Sequence, residues 1–365
     1  MKIKDIINVL ESFANRQLQE DYDNSGLLIG NSDWDCTGVL CTLDCTEKVI
    51  EEAIEKKCNL VVSHHPIIFK GIKRFSDFNY VQRCVIKSIK HDIAIYAIHT
   101  NLDNVLSGVN GVIAGKLGLS QIEVLAPKDH SLMKLYTFVP TEHASNVRRA
   151  MFEAGGGFIG AYSECSFNAE GVGTFKAGET TNPYVGEKGV QHQEKEVKIE
   201  VVFPAWCKDK LVKAMLEAHP YEEPAYDLLR LENVHSGFGS GLIGHLKEAK
   251  SEKDFLALVK DKFRLAAIRH TALRGKDIKK VAVCGGAGSF LIINALKAGA
   301  DVFISSDIKY HEFFEADGKL VLLDIGHYES EQFTVDLLID ILREKFHTFA
   351  VLKSVVQTNP VQYYF

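Results

Sequence analysis

The stretch Cys58-Asn-Leu-Val-Val-Ser-His-His-Pro66 contains the first strong structural signal in the chain. Its apolar segment, residues 60–62, has the length and β-branched content of a buried strand. Two adjacent histidines follow, His64 and His65, and the proline after them favours an extended backbone for His65. Neighbouring side chains on an extended backbone point to opposite sides, so the two imidazoles need separate partners. Two metal ions suit this geometry better than one, and the alternative is a hydrogen-bonded pair of histidines that closes the strand.

The composition is that of a globular protein without an obvious polyanionic partner. The 365 residues are 46% hydrophobic and 25% charged, which is enough chain for two or three domains with substantial cores. The net charge is −6, from 42 basic and 48 acidic residues. This balance gives no support to a nucleic-acid partner or to binding at an anionic membrane surface.

Cysteine usage and hydropathy predict the compartment. The eight cysteines form no C-x-x-C pair, and several lie in apolar, strand-like runs where a free cysteine behaves as a small hydrophobe. Residues 1–7 have the pattern of an amphipathic helix and not of a signal peptide. No apolar stretch of the sequence approaches the roughly 20 residues needed to span a bilayer. We therefore expect a cytoplasmic protein with reduced thiols and no membrane partner.

Predicted strands and helices alternate over the first 125 residues and again after residue 236. Alternation of this kind is typical of βαβ units and of a mostly parallel sheet. The main predicted strands are 39–43, 60–63, 93–98, 279–284, 300–305, 319–323 and 350–356, and the main predicted helices are 1–18, 46–57, 79–91 and 330–345.

The pattern changes between residues 127 and 235. The predicted elements there are strand 134–140, helix 142–154, a Gly- and Thr-rich region of hairpins over 162–190, strand 197–203, helix 208–218 and strand 225–231. This β-α-β(β)-β-α-β order predicts a ferredoxin-like α+β module, in which the charge-rich segment 187–200 is an exposed hairpin and not a binding segment. The predicted architecture is a discontinuous α/β domain, residues 1–126 and 236–365, interrupted by an α+β insert at 127–235.

Metal-ligand residue types recur at two further strand ends. His99 and Asp103 follow one predicted strand, and His327 and Glu331 follow another. In open α/β sheets ligands gather beyond the carboxyl ends of the strands, and an i, i+4 spacing on a helix places both side chains on one face. Asp103 could instead cap a helix, and Glu331 suits a helix N-terminus with or without metal. Imidazole and carboxylate together favour zinc, manganese, iron or cobalt, and Glu331 is the candidate for a carboxylate that bridges two ions.

These three motifs resemble the family of GTP cyclohydrolase I type 2 homologues, also called NIF-three-like proteins. The resemblance rests on residues 60–69, 99–103 and 324–331. It implies a toroidal homohexamer whose cavity contains dinuclear metal centres, with two divalent ions per chain that would be zinc, iron or manganese. The positions that match the metal ligands of the family are His64, His65, Asp103, His327 and Glu331.

The resemblance also implies how these ligands are shared. One ion would be held by His65 with Asp103 and the other by His64 with His327, with Glu331 between them. His99 lines the site in the family without being an assigned ligand. A role in holding a ligand or in proton transfer is therefore open for His99.

Further motifs leave two interpretations each. The insert resembles the PII- and CutA-like module of the longer family members, through residues 171–175 and 219–226. In that module His219 could bind a small molecule or belong to a turn shaped by two prolines. The glycine-rich segment 285–289 could cradle a phosphate or form a tight turn against a helix. Asp307 and His311 are candidates for substrate contacts.

Two classes of function follow. The resemblance implies a metal-dependent hydrolase with a nucleotide substrate, which opens the imidazole ring of GTP and releases formate. Hydrolysis of another nucleotide or a phosphoester would use the same residues. The alternative is a non-catalytic hexameric scaffold that stores metal or recruits regulatory partners. Turnover that requires metal distinguishes the two classes.

Overall fold

The computed structural model describes residues 1–364 and shows two compact units. The first consists of Met1–Ala126 together with the described residues from Gly237 onward, and the second is Pro127–Ser236. No helix among residues 1–364 has the length and apolar character required to cross a membrane.

Fifteen strands lie within the described residues, and most of those predicted from the sequence are present. In chain order they are β1 (Gly26–Ile29), β2 (Val39–Thr42), β3 (Leu60–Ser63), β4 (Ala94–Ala97), β5 (Leu119–Pro127), β6 (Leu132–Pro140), β7 (Phe167–Lys176), β8 (Gln191–Pro204), β9 (Tyr226–Arg230), β10 (Gly239–Lys250), β11 (Arg269–His270), β12 (Ile278–Ala287), β13 (Val302–Ser306), β14 (Val321–Asp324) and β15 (Val351–Lys353).

The α-helices lie between these strands, accompanied by short 3₁₀ turns. They are α1 (Ile3–Phe13), α2 (Glu47–Glu55), α3 (Tyr80–Lys90), α4 (Thr100–Asp103), α5 (Val109–Leu117), α6 (Ala144–Glu153), α7 (Lys208–Ala218), α8 (Glu252–Phe263), α9 (Ile292–Lys297), α10 (His327–Glu331) and α11 (Thr334–Lys345), and the 3₁₀ turns are Arg16–Leu18, Ala205–Cys207, Ser289–Leu291 and Tyr310–Ala316. Side-chain caps define two helix starts, because Thr46 accepts from the Val49 amide and Asn79 from the Gln82 amide.

The first sheet of the first unit has the order β1-β4-β3-β2-β15. Strands β15, β2, β3 and β4 pair in parallel and β1 is antiparallel to β4, which confirms the mostly parallel prediction. Every residue of β3 is buried, as expected for a central parallel strand covered on both faces. One face packs against α2 and α3 through residues such as Val49, Ile50 and Val85.

The second sheet of this unit has the order β11-β14-β13-β12-β10-β5. The predicted parallel strands β12, β13 and β14 form its centre, but β10 and α8 were not predicted. Residues 237–241 have the glycine-rich composition of a turn, whereas β10 begins among them at Gly239. The strand was not predicted because its first three residues are small and its large apolar residues begin only after Gly241.

The second unit confirms the ferredoxin-like prediction. Its antiparallel sheet has the order β7-β8-β6-β9, which follows from the β-α-β-β-α-β sequence of elements. Helices α6 and α7 cover one face, where Val147 and Leu211 pack against Ile199 and Val201 of β8.

The strands that flank the insert are neighbours in the six-stranded sheet. Ser120 Oγ in β5 donates to the carbonyl of His245 in β10 at 3.2 Å. Further along, a Cβ added to Gly241 would lie 3.5 Å from Leu125 Cδ2. These contacts run in opposite directions along the two strands, so β5 and β10 are antiparallel. The insert therefore occupies the position of a loop between two adjacent antiparallel strands.

Replacing residues 128–236 by a short Gly-Ser linker should leave the first unit folded and able to bind metal. Tolerated insertions have ends that lie close together, and loop-closure entropy changes by only about 0.6 kcal/mol per doubling of loop length. Thermal unfolding followed by circular dichroism, together with metal analysis, would check this. An insoluble or metal-free shortened chain, beside a soluble and metal-loaded full chain, would show that the insert is integral to the site.

Candidate metal centre

The predicted ligand residues of both sheets of the first unit converge. His64 and His65 follow β3, Asp103 ends the short helix α4 after β4, and α10 begins directly after β14. His327 and Glu331 are the first and last residues of α10, so their side chains share one face of a helical turn. His64 and Glu331 are buried.

Glu331 lies between two groups of ligand atoms. Its Oε2 is 3.0 Å from His65 Nε2 and 3.2 Å from His327 Nε2. Its Oε1 is 3.8 Å from His64 Nε2, which is itself 3.6 Å from Asp103 Oδ1. The groups are therefore His65/His327/Glu331 and His64/Asp103/Glu331. This corrects the expected pairing of His65 with Asp103 and of His64 with His327, while the central position of Glu331 is as expected.

The Nδ1 atom of each imidazole is held by an oxygen acceptor. A carbonyl or an ionised carboxylate can only accept, so in each case Nδ1 donates, and Nε2 is the ring atom that is turned away from this partner. The four contacts are His64 Nδ1 to Ile98 O at 2.9 Å, His65 Nδ1 to Asp44 Oδ1 at 2.8 Å, His99 Nδ1 to Asp23 Oδ1 at 2.8 Å and His327 Nδ1 to Asp307 Oδ2 at 2.7 Å. Metal-binding histidines are held in this way, with the free nitrogen available to an ion.

The donor atoms fit a metal ion. His64 Nε2, Asp103 Oδ1 and Glu331 Oε2 are buried and form no hydrogen bond with the described residues. Glu331 Oε2 is close to two imidazoles, yet neither approach has hydrogen-bond geometry. Burying unpaired polar atoms is costly, and a cation between them removes that cost. Imidazole nitrogen with carboxylate oxygen is the donor set of transition-metal sites.

The charges in the cluster are strongly coupled. Burial opposes ionisation of Glu331, yet the surrounding imidazoles hold its pKa well below the usual range. Burial and the neighbouring Glu331 raise the pKa of Asp103 well above its usual value. Although burial acts in the opposite direction, hydrogen bonds to carboxylates raise the pKa of His65 to about 9 and of His327 to about 11. Without metal, the cluster thus holds protons where a divalent ion would supply positive charge.

Glycines bring the backbone at the end of β12 close to this cluster. Gly286 has φ +62°, and a Cβ added there would overlap Glu331 Oε1. Its amide donates to Ser330 Oγ at 3.0 Å. Of the two interpretations of residues 285–289, the structure shows the close packing against a helix, but residues 285–287 belong to the end of β12 and not to a turn.

Three carboxylates of the site were missed or given another role by the sequence analysis. Asp44 and Asp23 hold His65 and His99, and Asp307, expected to contact substrate, holds His327 instead. Asp44 lies two residues after the end of β2, so the strand-end pattern could have identified it. Asp23 lies in a polar turn before β1, where an aspartate usually indicates only a turn.

The two remaining candidate histidines lie outside the cluster. His311 is exposed and does not line the cavity beside the cluster. His219 is buried in the second unit with both ring nitrogens in use: Nε2 donates to Phe138 O at 2.9 Å and Nδ1 accepts from the Tyr221 amide at 3.1 Å. Its role as part of a turn is thereby confirmed.

The cluster opens into a cavity of about 1140 Å³. Aromatic rings and basic side chains line it, among them Phe69, Phe290, Tyr328, Lys70, Lys73 and Arg269. The C-terminal segment forms part of the wall, where Thr358 Oγ1 donates to Asp44 Oδ2 at 2.6 Å and Asn359 Nδ2 to Glu329 Oε1 at 3.0 Å. The sequence analysis assigned no role to this segment.

The fold and the cluster define an α/β protein with groups of histidine and carboxylate side chains that could bind a metal ion. The chain belongs to the Duf34/NIF3 (NGG1p interacting factor 3) family, whose model matches residues 1–360.

Relatives of this family align over nearly the whole chain. The GTP cyclohydrolase 1 type 2 homolog of Halalkalibacterium halodurans is 42% identical over 361 residues, which are 97% of both chains. That of Bacillus subtilis is 39% identical over 360 residues, covering 97% of this chain and 96% of the relative. The crystal structure of a Bacillus cereus protein related to NIF3 has a TM-score of 0.86 and 36% identity, covering 100% of this chain and 99% of the other. The resemblance inferred from the three motifs is therefore confirmed.

Proposed function

We propose that this chain is a metal-dependent hydrolase that acts on a nucleotide and holds two divalent ions. The proposed ligands are His64, His65, Asp103, His327 and Glu331. The observation that carries the proposal is the pair of ligand groups that share Glu331 beside a large cavity. The relatives in Halalkalibacterium halodurans and Bacillus subtilis, both named GTP cyclohydrolase 1 type 2 homolog, support GTP as the first substrate to test.

Each group of ligands would hold one ion. His64 and Asp103 would hold one, His65 and His327 the other, and Glu331 would contribute one carboxylate oxygen to each side. Zinc, iron and manganese all accept such mixed nitrogen and oxygen donors. When bound, ions of this kind supply an activated water and Lewis-acid stabilisation of developing negative charge.

The protein's own residues orient these donors and could move a proton. Asp44 and Asp307 hold the rings of His65 and His327 by their Nδ1 atoms. Asp23 holds His99 in the same way, and a ring nitrogen of His99 lies within 4.8 Å of ligand nitrogens of both His64 and His65. Because Asp23 occupies Nδ1, His99 Nε2 is the atom that could protonate a leaving nitrogen.

The cavity is large enough for a nucleotide, and some of its lining residues can contact one. Its volume of about 1140 Å³ exceeds the roughly 300–1,000 Å³ of typical small-molecule pockets. Aromatic faces such as those of Phe69 and Tyr328 can stack on a base, and Lys70 and Lys73 can attract phosphates. Residues that can contact a base and residues that can contact phosphates therefore line the same cavity as the proposed metal ligands.

The test is turnover of a nucleotide panel by metal-reconstituted protein. We expect GTP to be converted, with loss of imidazole absorbance and release of formate, and a chelator to abolish both signals. His65→Ala is the control for contaminating enzymes, and formate release that persists in this variant would show that the activity belongs to another protein. Metal-loaded protein that turns over no nucleotide would favour the scaffold alternative.

We also propose that the chain forms the toroidal homohexamer implied by the family resemblance. Sedimentation velocity should then give a particle of six times the 40.6 kDa chain mass. A monomer or dimer at micromolar concentration would contradict this assembly.

A further inference from the structure

The second unit has a cavity of its own, of about 680 Å³, on the sheet face that its helices leave open. Ile199 and Val201 of β8 point into the core beneath α6 and α7. Side chains alternate along a strand, so Glu196 and Lys198 project from the opposite face. Both line this cavity, together with the segments 177–184 and 221–225.

Glu196 is the polar feature at the base of this cavity. Its side chain is buried, at 8% relative exposure, and Oε1 accepts a hydrogen bond from the Tyr221 hydroxyl at 2.8 Å. Its Oε2 forms no hydrogen bond with the residues that the structure describes. This oxygen passes over Gly173, where an added Cβ would overlap it. This oxygen can therefore accept from a donor that enters the cavity, and the negative charge of the carboxylate favours a cationic one.

Aromatic rings stand beside this carboxylate. Tyr221 lies between Phe175 and Tyr184, with ring centroids 6.2 and 6.3 Å away. The two hydrogen bonds of His219, to the Tyr221 amide and to Phe138 O, fix the turn that carries Tyr221. Faces of aromatic rings attract organic cations within about 6 Å of the centroid.

The charge around the cavity has one dominant sign. Four glutamates line it against two lysines: Glu170, Glu196, Glu222 and Glu223, and Lys176 and Lys198. The Lys198 ammonium is paired with Glu200 at 2.6 Å, so it does not neutralise Glu196. The segment 187–200, expected to be an exposed hairpin without a binding role, thus supplies a buried carboxylate to an acidic, aromatic cavity.

We propose that this cavity binds a small organic cation with N–H donors, a primary ammonium or a guanidinium. Such a group donates to Glu196 Oε2 while its charge lies against the rings of Tyr221 and Tyr184. A bare metal ion fits less well, because calcium takes six to eight oxygen ligands and transition metals prefer imidazole or thiolate donors. A neutral ligand would leave the buried carboxylate without a counter-charge.

Calorimetric titration of the full chain with 1,4-diaminobutane tests the proposal, with 1,4-butanediol as the neutral analogue of equal length. We expect the diamine to bind and the diol to give no heat. Glu196→Gln keeps the shape and an acceptor for Tyr221 but removes the charge, and should weaken diamine binding at least tenfold. Gly173→Ala should do the same by displacing the carboxylate. Glu217→Gln, an exposed change on α7 at the other face of the sheet, should bind as the native chain does.

Three results would overturn the proposal. The first is equal affinity of the native chain for diamine and diol, which needs no variant to fold. The second is unchanged diamine affinity in Glu196→Gln with an unchanged melting temperature. The third is no binding by the native chain at millimolar diamine. None of these results bears on the metal centre, whose ligands lie in the other unit.

Discussion

The Glu331→Gln variant is expected to contain far less than one metal ion per chain after reconstitution, whereas the native chain should hold about two. The carboxylate faces His64 with Oε1 and His65 and His327 with Oε2. An amide of the same shape removes the negative charge and replaces one oxygen by an NH₂ group that cannot coordinate a cation. One ligand group therefore loses its donor atom, and both groups lose the negative charge, in a single substitution.

Glu329→Gln is the matched control on the same helical turn. Glu329 accepts from Asn359 Nδ2 at 3.0 Å and belongs to neither ligand group. Elemental analysis of both variants, with melting temperatures measured without metal, separates ligand loss from unfolding. Equal metal content in Glu331→Gln and Glu329→Gln would reject Glu331 as a ligand. Retention of one ion in Glu331→Gln would show that a single group depends on it.

The positions of the candidate metal-binding residues could be predicted because each lies close behind a strand that its composition identifies. The apolar run before His64 and the i, i+4 spacing of His327 and Glu331 are local patterns, and both are borne out by β3 and α10. The parallel pairing of β3 and β4 brings their carboxyl ends to one edge of the first sheet, whereas β14 belongs to the second sheet. The local sequence pattern was therefore sufficient to place these residues near the ends of their strands.

The pairing of ligands could not be predicted, because it depends on contacts between distant segments. The ring of His64 is oriented by the carbonyl of Ile98 and that of His65 by Asp44. His65 and His327 approach within 3.2 Å across 262 residues of sequence. An extended backbone shows that neighbouring side chains diverge, but it does not show which acceptor fixes each imidazole. Only the assembled sheets supply those acceptors.

Contacts between distant segments also explain why the cavity of the second unit could not be predicted from the sequence. The charge-rich composition of residues 187–200 predicts solvent exposure, and Glu196 would be exposed if β8 stood alone. The strand opposite it contains Gly173, whose missing side chain leaves space for the carboxylate. Tyr221, which covers it, comes from a turn 25 residues later. Glu196 is therefore buried only because β8, β7 and the turn that carries Tyr221 come together.

His99→Ala is expected to keep its metal but to lower turnover by roughly 10²- to 10⁴-fold, the usual contribution of a general acid. The ring belongs to neither group that shares Glu331, and Asp23 holds its Nδ1. Burial opposes ionisation of Asp23, but hydrogen bonds from His99 and Thr100 keep its pKa below the usual range. Asp23 therefore remains an anion that accepts from His99 Nδ1 and holds the ring in place.

Metal analysis and steady-state kinetics on one preparation distinguish the roles open to His99. Loss of kcat with unchanged KM and full metal content is the result expected of a proton donor. Asp23→Asn should lower kcat by a smaller factor, since the imidazole stays in place while its anionic partner is lost. His91→Ala, a change at an exposed histidine, should leave both constants unchanged. If His99→Ala loses metal together with activity, the ring is a ligand, as its proximity to His64 and His65 would then explain. If turnover is unchanged, the proton that the leaving nitrogen needs comes from another group.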